Sequence, residues 1–267
     1  MTFEASLSQP VEGRLAKQGT LLMLDGEDNR MKPWTVLLFS SGFWAIPRDG
    51  AASPQAAADL CAADSYAWTP FAEVRELTAN PGSDDCPLAE GSAFALNLFR
   101  EGLGFVFGTT GLGAAEERLQ WMASMRAALQ GFIASFFPPF SVSVWPLAGV
   151  PSTATRVLAG YLLRDDDNAM VSVPYVELHA HRRDSALLVM YQTETCESLD
   201  GSIVINPVTP IFDHEGAETS CFSVKDFHFC ARSVNEKHLW LRALYNIKVK
   251  LLNCAPTPTG RELKHWR

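Results

Sequence analysis

Short apolar runs follow one another along most of the chain, and turn residues separate them. The runs 35–39 and 43–46 flank a Ser-Ser-Gly turn, and the runs 93–99 and 104–107 flank an Arg-Glu-Gly turn. Runs of this length around a glycine turn predict β-hairpins. The second half has the same pattern, with predicted strands at 173–179, 187–191, 202–205, 221–224 and 227–231.

Each half ends in a predicted amphipathic helix that contains a tryptophan. Counted from Trp121 or from Trp240, the apolar positions +1, +4, +7, +11 and +12 are the same. This spacing places one apolar stripe on each helix. The stripe must cover the strands of its own half, so we expect both tryptophans to be buried there and to be structural.

The two halves read as an internal repeat. The segment 13–17 (Gly-Arg-Leu-Ala-Lys) resembles 160–164 (Gly-Tyr-Leu-Leu-Arg), and the segment 33–37 resembles 174–178. Repeats of a strand set followed by a helix indicate two modules of one architecture. The interpretation aligns Lys17 with Arg164.

These ordered features resemble the pleckstrin-homology (PH) fold, twice. The matching residues are Phe94-Ala95-Leu96 and Phe105-Val106-Phe107 before the helix of Trp121, and the runs 221–224 and 227–233 before that of Trp240. The resemblance implies a mainly β fold with α: two PH-like antiparallel β-barrels or sandwiches, each capped by a C-terminal amphipathic helix. More distantly, the second unit resembles the PH-fold membrane-skeleton (inner membrane complex) proteins of apicomplexan parasites.

The predicted domain organisation has four parts. PH-like domain 1 spans 10–134, with an alanine-rich insertion at about 48–68 that is read as a loop expansion or an added contact surface. An apolar, proline-rich linker spans 135–152, PH-like domain 2 spans 153–253, and a tail spans 254–267. Residues 131–155 carry no charge, but their prolines argue against a transmembrane span. A linker packed between the units and a shallow membrane wedge are the two remaining interpretations.

Composition narrows the function. With 47% apolar and 19% charged residues the chain has enough apolar residues for a core. A net charge of −8 argues against nucleic acid as the main partner. Residues 1–137 hold nine Lys and Arg against sixteen Asp and Glu (net −7), so an anionic membrane would repel that half. The six cysteines lack a C-x-x-C pair, which favours reduced thiols of an intracellular protein.

Family members that bind phosphoinositides gather several cations around adjacent phosphates. The resemblance implies a lysine or arginine at the end of the first strand, matched by Lys17 and Arg164, and another before the aromatic residue of the second strand. Pro33 and Pro174 occupy that second position. The candidate contacts for an anion, a lipid or a partner are Lys17, Lys32, Arg164, His179, His181, Arg182 and Arg183.

Other motifs predict no further site. The glycine-rich run 108–113 lacks the Lys-Ser/Thr of a phosphate loop, and His179 with His181 lacks a third metal ligand at a suitable spacing. No catalytic residue, cofactor or metal site is therefore predicted. The tail is basic, and its Leu263 and Trp266 form either a frayed end or a short docking motif.

The sequence therefore predicts a non-enzymatic tandem PH-like adaptor or scaffold that binds protein partners and could be a subunit of a larger assembly. The alternative is a peripheral membrane module that binds phosphoinositide or another anionic lipid through domain 2. We expect a cytoplasmic location, at a membrane or the cytoskeleton if peripheral, with no transmembrane span, no nucleic-acid partner and no enzymatic activity.

Overall fold

A computed structural model describes residues 2–4, 11, 13–25, 30–47, 64–77, 88, 91–98, 104–139, 142–144, 155–166, 170–180, 185–214 and 219–254. The chain divides into two compact units. The N-terminal unit is Ala5–Ser135, and the C-terminal unit is Phe136–Arg267 together with Met1–Glu4. Residues 48–63 of the predicted insertion and the side chains of His181, Arg182, Arg183, Leu263 and Trp266 lie outside the described residues.

The N-terminal unit is one seven-stranded antiparallel sheet and a helix. Its elements are β2 (Leu15–Leu24), β3 (Met31–Phe39), β4 (Gly42–Pro47), β5 (Asp64–Ala67), β6 (Glu73–Glu76), β7 (Ala93–Asn97), β8 (Gly104–Gly108) and α1 (Ala114–Ser135). The strand order is β5-β4-β3-β2-β8-β7-β6. Both predicted hairpins, β3–β4 and β7–β8, are confirmed. Residues 64–67, assigned above to the insertion, instead form a strand that pairs with β4.

The C-terminal unit has two antiparallel sheets and a helix. Its elements are β1 (Thr2–Glu4), β9 (Ser143–Val144), β10 (Thr155–Tyr161), β11 (Leu163–Asp166), β12 (Met170–Ser172), β13 (Tyr175–Ala180), β14 (Ala186–Tyr191), β15 (Leu199–Ile205), β16 (Ile211–Asp213), β17 (Cys221–Val224), β18 (Phe227–Cys230) and α2 (Val234–Cys254). The sheets run β15-β14-β13-β10-β9 and β1-β12-β11-β18-β17-β16. The short β9 lies within the segment predicted as linker.

The two units share one strand order. If the strands of each unit are numbered in chain order and the short β1 and β9 are left out, both units have the spatial order fourth, third, second, first, seventh, sixth and fifth. In both units the helix follows the seventh strand in the chain. In the C-terminal unit the first and second strands are each broken, into β10 with β11 and into β12 with β13, so the order is divided between two sheets. No sheet closes on itself within the described ranges, so the prediction of β-barrels is wrong. The described residues instead form open antiparallel sheets with two helices.

Both tryptophans lie in the core of their own unit. Trp121 and Trp240 are 0% exposed, as the helical stripes predicted. A buried phenylalanine pair lies on neighbouring strands ahead of each helix: Phe94 opposite Phe107, and Phe222 opposite Phe229. These pairs are equivalent positions in the two units.

The phenylalanine pairs correct the alignment of the repeat. Phe107 of β8 lies opposite Met23, whereas the equivalent Phe229 of β18 lies opposite Arg164. Arg164 is therefore equivalent to Met23, six residues beyond Lys17. The short G-x-L-x-K likeness is wrong because it ignores strand register, which hydrogen bonding to the last strand determines.

The predicted reduced state of the cysteines is corrected at one pair. Cys221 and Cys230 lie directly opposite each other on β17 and β18 and form a disulfide. Separated by nine residues, they become neighbours only through the hairpin, which the spacing of cysteines along the sequence does not reveal. Among the described residues Cys196 is a free cysteine.

Candidate functional site

The described cations of the predicted anion pocket each have a partner within their own unit. The Lys17 ammonium lies 5.0 Å from the centre of a Trp121 ring. Lys32 forms an ion pair with Asp25. His179 Nε2 lies 2.8 Å from a Glu177 carboxylate oxygen. These basic residues lie on different strands and already contact partners of their own unit, which is unlike a group of cations that converges on phosphates.

Arg164 lies inside the C-terminal unit. It shares a side of the sheet with the buried Phe229, and its guanidinium contacts the Met190 sulfur at 3.4 Å and the Asp200 carboxylate at 2.8 Å. Its side chain is only 12% exposed. A contact with the core and an acidic partner give Arg164 a structural role in the observed arrangement.

The strongest candidate surface is one face of the five-stranded sheet. Paired residues on neighbouring strands share a face, and Val176 and Leu178 of β13 point into the core. Glu177 and His179 therefore lie on the opposite side, which we term the outer face. Its rows of paired positions are Arg156-His179-Leu187-Val204, Ala159-Glu177-Val189-Ser202 and Tyr161-Tyr175-Tyr191-Leu199.

A charged cluster lies at the β10–β13 side of the outer face. Glu177 is 5% exposed and accepts hydrogen bonds from Arg156 Nη1 at 2.7 Å and from His179 Nε2 at 2.8 Å. Burial opposes ionisation of this carboxyl, but the hydrogen bonds from Arg156 and His179 outweigh it and the pKa of Glu177 is lowered. The hydrogen bond to Glu177 also raises the pKa of Arg156. Glu177 and Arg156 are therefore ionised at neutral pH, and both carboxylate oxygens of Glu177 are engaged.

Cys196 lies beside this cluster and is a poor nucleophile. Burial, and next the negative charge of Glu177, raise the pKa of its thiol. A thiol with a raised pKa is scarcely ionised near neutral pH, and the thiolate is the reactive form. A Cys, a His and a Glu thus lie close together without the activated thiolate that covalent catalysis requires.

Exposed apolar side chains lie at the β14–β15 side of the same face. Leu199 is 64% exposed and Val204 is 48% exposed, with the half-buried Leu187 opposite Val204. β15 is also the last strand of its sheet, so it pairs only with β14 among the described residues. An apolar patch next to a charged cluster and an unpaired strand edge is typical of a surface that binds another protein.

Helix α2 of the C-terminal unit covers β16, an edge strand of the six-stranded sheet. Tyr245 Oη donates to the Ile211 carbonyl at 3.3 Å, and Lys248 Nζ donates to the Thr209 carbonyl at 2.6 Å. Lys237 is 0% exposed and forms an ion pair with Asp213 at 2.8 Å. We term these contacts the helix-to-edge contacts.

The N-terminal unit has the same contacts at equivalent positions. Arg118, three residues before Trp121, pairs with Glu76 at 3.5 Å, as Lys237, three before Trp240, pairs with Asp213. Arg126, five residues after Trp121, donates to the Val74 carbonyl. These residues were not predicted from the sequence, although each tryptophan is preceded, three positions earlier, by a basic residue.

Comparison with known proteins finds similarity among solved structures. No protein-family model matches the chain, and no curated protein matches it. Among solved structures, the chain is similar to the apo structure of the activated truncation of Vav1, with 14% sequence identity and a TM-score of 0.34. The aligned region covers 53% of this chain and 33% of that one, so the chain spans about a third of the length of the structure it matches.

Neither helix of the described residues combines the length and apolar character needed to cross a membrane. Two helices of 22 and 21 residues are present. Both carry charged side chains that contact the edge strands described above.

Proposed function

We propose that the chain is a non-enzymatic tandem PH-like adaptor that binds a protein partner through the outer face of its C-terminal unit. The proposal of two PH-like modules is supported by the strand order repeated in both units, each order being followed by a tryptophan-bearing helix. The observation that carries the binding function is the exposure of Leu199 and Val204 on the face that also carries Arg156 and His179. Apolar anchors flanked by charges give a partner both buried area and orientation.

A protein partner is favoured over a lipid headgroup by the state of the predicted pocket cations. Lys32 and Arg164 already neutralise acidic side chains, and Lys17 lies over an aromatic ring. A phosphorylated headgroup would have to break those contacts before it gained its own.

The test is a capture experiment from the native source with matched variants. In the double variant Leu199→Asp and Val204→Asp, two carboxylates replace the apolar patch, so recovery of a specific partner should fall to background. The control is Val249→Asp on α2, which is similarly exposed but lies outside the outer face. Partner recovery equal to wild type in the double variant would overturn the proposal.

A liposome experiment tests the alternative that the chain is a peripheral membrane module. Wild-type chain is sedimented with vesicles with and without phosphoinositide at two salt concentrations. The adaptor proposal expects no salt-sensitive binding. Salt-sensitive binding that Arg182→Glu with Arg183→Glu removes would favour the membrane module instead. Arg164→Glu is unsuitable for this purpose because it would place a carboxylate against Asp200.

A further inference from the structure

Two histidines and a serine meet beside the disulfide of the C-terminal unit. The Ser223 hydroxyl lies 2.5 Å from His214 Nε2 and 2.6 Å from His228 Nδ1. The two imidazole rings have centroids 5.7 Å apart. Both rings therefore aim a nitrogen at the same small volume.

The disulfide shares this side of the sheet. Ser223 pairs with His228, and Cys221 pairs with Cys230 one step along the same two strands. Residues two apart on a strand face the same side, so both sulfurs and the His228 ring lie on one side of the hairpin, where Cys230 itself is buried. His214, Cys221 and His228 are half-buried and so are partly open to solvent.

The equivalent surface of the N-terminal unit carries only apolar residues. Ala93 opposite Gly108 takes the place of the disulfide, and Ala95 opposite Val106 takes the place of Ser223 and His228. A side chain at Gly108 would meet Leu88, so packing closes that position. Four positions that are apolar in the N-terminal unit thus carry two sulfurs, a hydroxyl and an imidazole in the C-terminal unit.

We propose that this surface is a redox-controlled Zn²⁺ site, formed by Cys221, Cys230, His228 and His214 when the disulfide is reduced. Two thiolates and two imidazoles are a ligand set that Zn²⁺ prefers, in tetrahedral geometry. In the oxidised chain the sulfurs are bonded to each other, and the described residues hold no group of three or more His, Cys, Asp or Glu arranged for a metal ion. Because Cys221 and Cys230 are paired residues of one hairpin, both sulfurs remain on neighbouring strands after reduction.

The chemistry is a two-electron reduction followed by metal binding. A phosphine reductant breaks the S–S bond and, with one water, becomes a phosphine oxide, while the two sulfurs become thiols. Zn²⁺ then displaces one proton from each thiol and accepts electron pairs from both thiolates and both imidazoles. In a cell, a dithiol reductant takes the place of the phosphine and is itself oxidised to a disulfide.

The experiment compares oxidised and phosphine-reduced full-length chain, free of any histidine tag, titrated with Zn²⁺ against a chromogenic chelator. The reduced chain should bind one Zn²⁺ tightly, and the oxidised chain should not. With Co²⁺ as probe, the reduced chain should show thiolate-to-cobalt charge-transfer absorption. Equal Zn²⁺ affinity in both states, or no binding in the reduced state, overturns the proposal.

Variants assign the ligands. Cys221→Ser, Cys230→Ser and His228→Gln should each weaken Zn²⁺ binding by the reduced chain by an order of magnitude or more. Cys196→Ser, which removes the free cysteine beside Glu177, should not. An equal loss in Cys196→Ser would place the metal elsewhere and overturn the assignment.

A linkage measurement needs no variant and therefore cannot fail through misfolding. In a glutathione buffer of fixed composition, the ratio of reduced to oxidised Cys221–Cys230 should rise with free Zn²⁺, by about 100-fold at 100 times the dissociation constant, because only the reduced form binds the metal. A ratio independent of Zn²⁺ contradicts the proposal.

Discussion

The helices of the two units hold equivalent edge strands with different chemistry. In the N-terminal unit, Arg118 pairs with Glu76 at 3.5 Å, and more than half of the Glu76 side chain is exposed. In the C-terminal unit, Lys237 is fully buried and pairs with Asp213 at 2.8 Å. In both units the basic side chain is buried (Arg118 11% exposed, Lys237 0%) and its acidic partner is about half exposed (Glu76 54%, Asp213 47%), so the two pairs differ in the length of the contact and in whether the cation keeps any solvent. A repeat can therefore preserve the architecture of a contact and change its energetic weight.

The hairpin that precedes each helix likewise has one side that is similar in the two units and one side that differs. Phe94 with Phe107 and Phe222 with Phe229 fill the core side of both hairpins. On the other side, the N-terminal unit has small apolar residues and the C-terminal unit has a disulfide and two polar side chains. The core side preserves the fold, and the opposite side has diverged.

The largest expected effect is the same in both units and tests their equivalence. Trp121→Ala and Trp240→Ala should each cost about 3–5 kcal/mol in the free energy of unfolding, because each removes a fully buried indole. Urea unfolding gives the loss, and hydrogen exchange shows which unit opens.

Phenylalanine variants are the controls for the tryptophan pair. Neither indole N–H has a hydrogen-bond partner among the described residues, so Trp121→Phe and Trp240→Phe should retain most of the stability. A severe loss in one unit and a slight loss in the other, for the same alanine substitution, would contradict their equivalence.

The next effect should distinguish the units. Asp213→Ala leaves the ammonium of the buried Lys237 without its carboxylate and should cost at least about 2 kcal/mol. Glu76→Ala removes a longer pair, whose arginine keeps some contact with solvent, and should cost under about 1 kcal/mol. Thermal unfolding of both variants provides the comparison.

A double variant identifies the cause of the Asp213 effect. Adding Lys237→Met to Asp213→Ala removes the buried positive charge that has lost its carboxylate, and it should recover most of the lost stability. Equal costs for Asp213→Ala and Glu76→Ala, or no recovery in the double variant, would show that burial of the lysine is not what separates the units.

A smaller effect concerns the carbonyls of the edge strands. Tyr245→Phe deletes one neutral hydrogen bond to Ile211 and should cost about 1 kcal/mol, whereas Arg126→Met deletes a charged donor to Val74 and should cost about twice that. Amide exchange of β16 and β6 measures the local loosening. Faster exchange spread over the whole unit instead of its edge would contradict the assignment of these contacts.

How much of this follows from sequence can be seen in particular residues. The hairpins and the burial of Trp121 and Trp240 follow from local periodicity, which is encoded within a few residues. Other features depend on the register between strands that are separated along the chain. They are the equivalence of Arg164 with Met23, the pairing of Lys237 with Asp213 and the Cys221–Cys230 bond. Alternation of apolar residues restricts register but does not determine it.

The smallest predicted effect is a pH dependence of the stability of the C-terminal unit. The lowered pKa of Glu177 means that its ionised form stabilises the fold above its ordinary value of 4.5, and this contribution is lost as pH falls through the lower folded value. Glu177→Gln should therefore be less stable than wild type at neutral pH, with the difference shrinking in acid. Glu197→Gln replaces an exposed glutamate of the same unit and is the matched control. A difference that grows in acid would reverse the sign and contradict the assignment.

The N-terminal strand β1 pairs with β12, Thr2 lying opposite Ser172 and Glu4 opposite Met170. During synthesis Glu4 is made first, and its partner Met170 follows 166 residues later. At the usual 5–20 residues per second this is an interval of roughly 8–33 seconds. All of Ala5–Ser135 is made within that interval. The ribosome therefore delivers a complete N-terminal unit before the first strand of the chain can pair, and the addition of β1 to its sheet comes late in the assembly of the C-terminal unit.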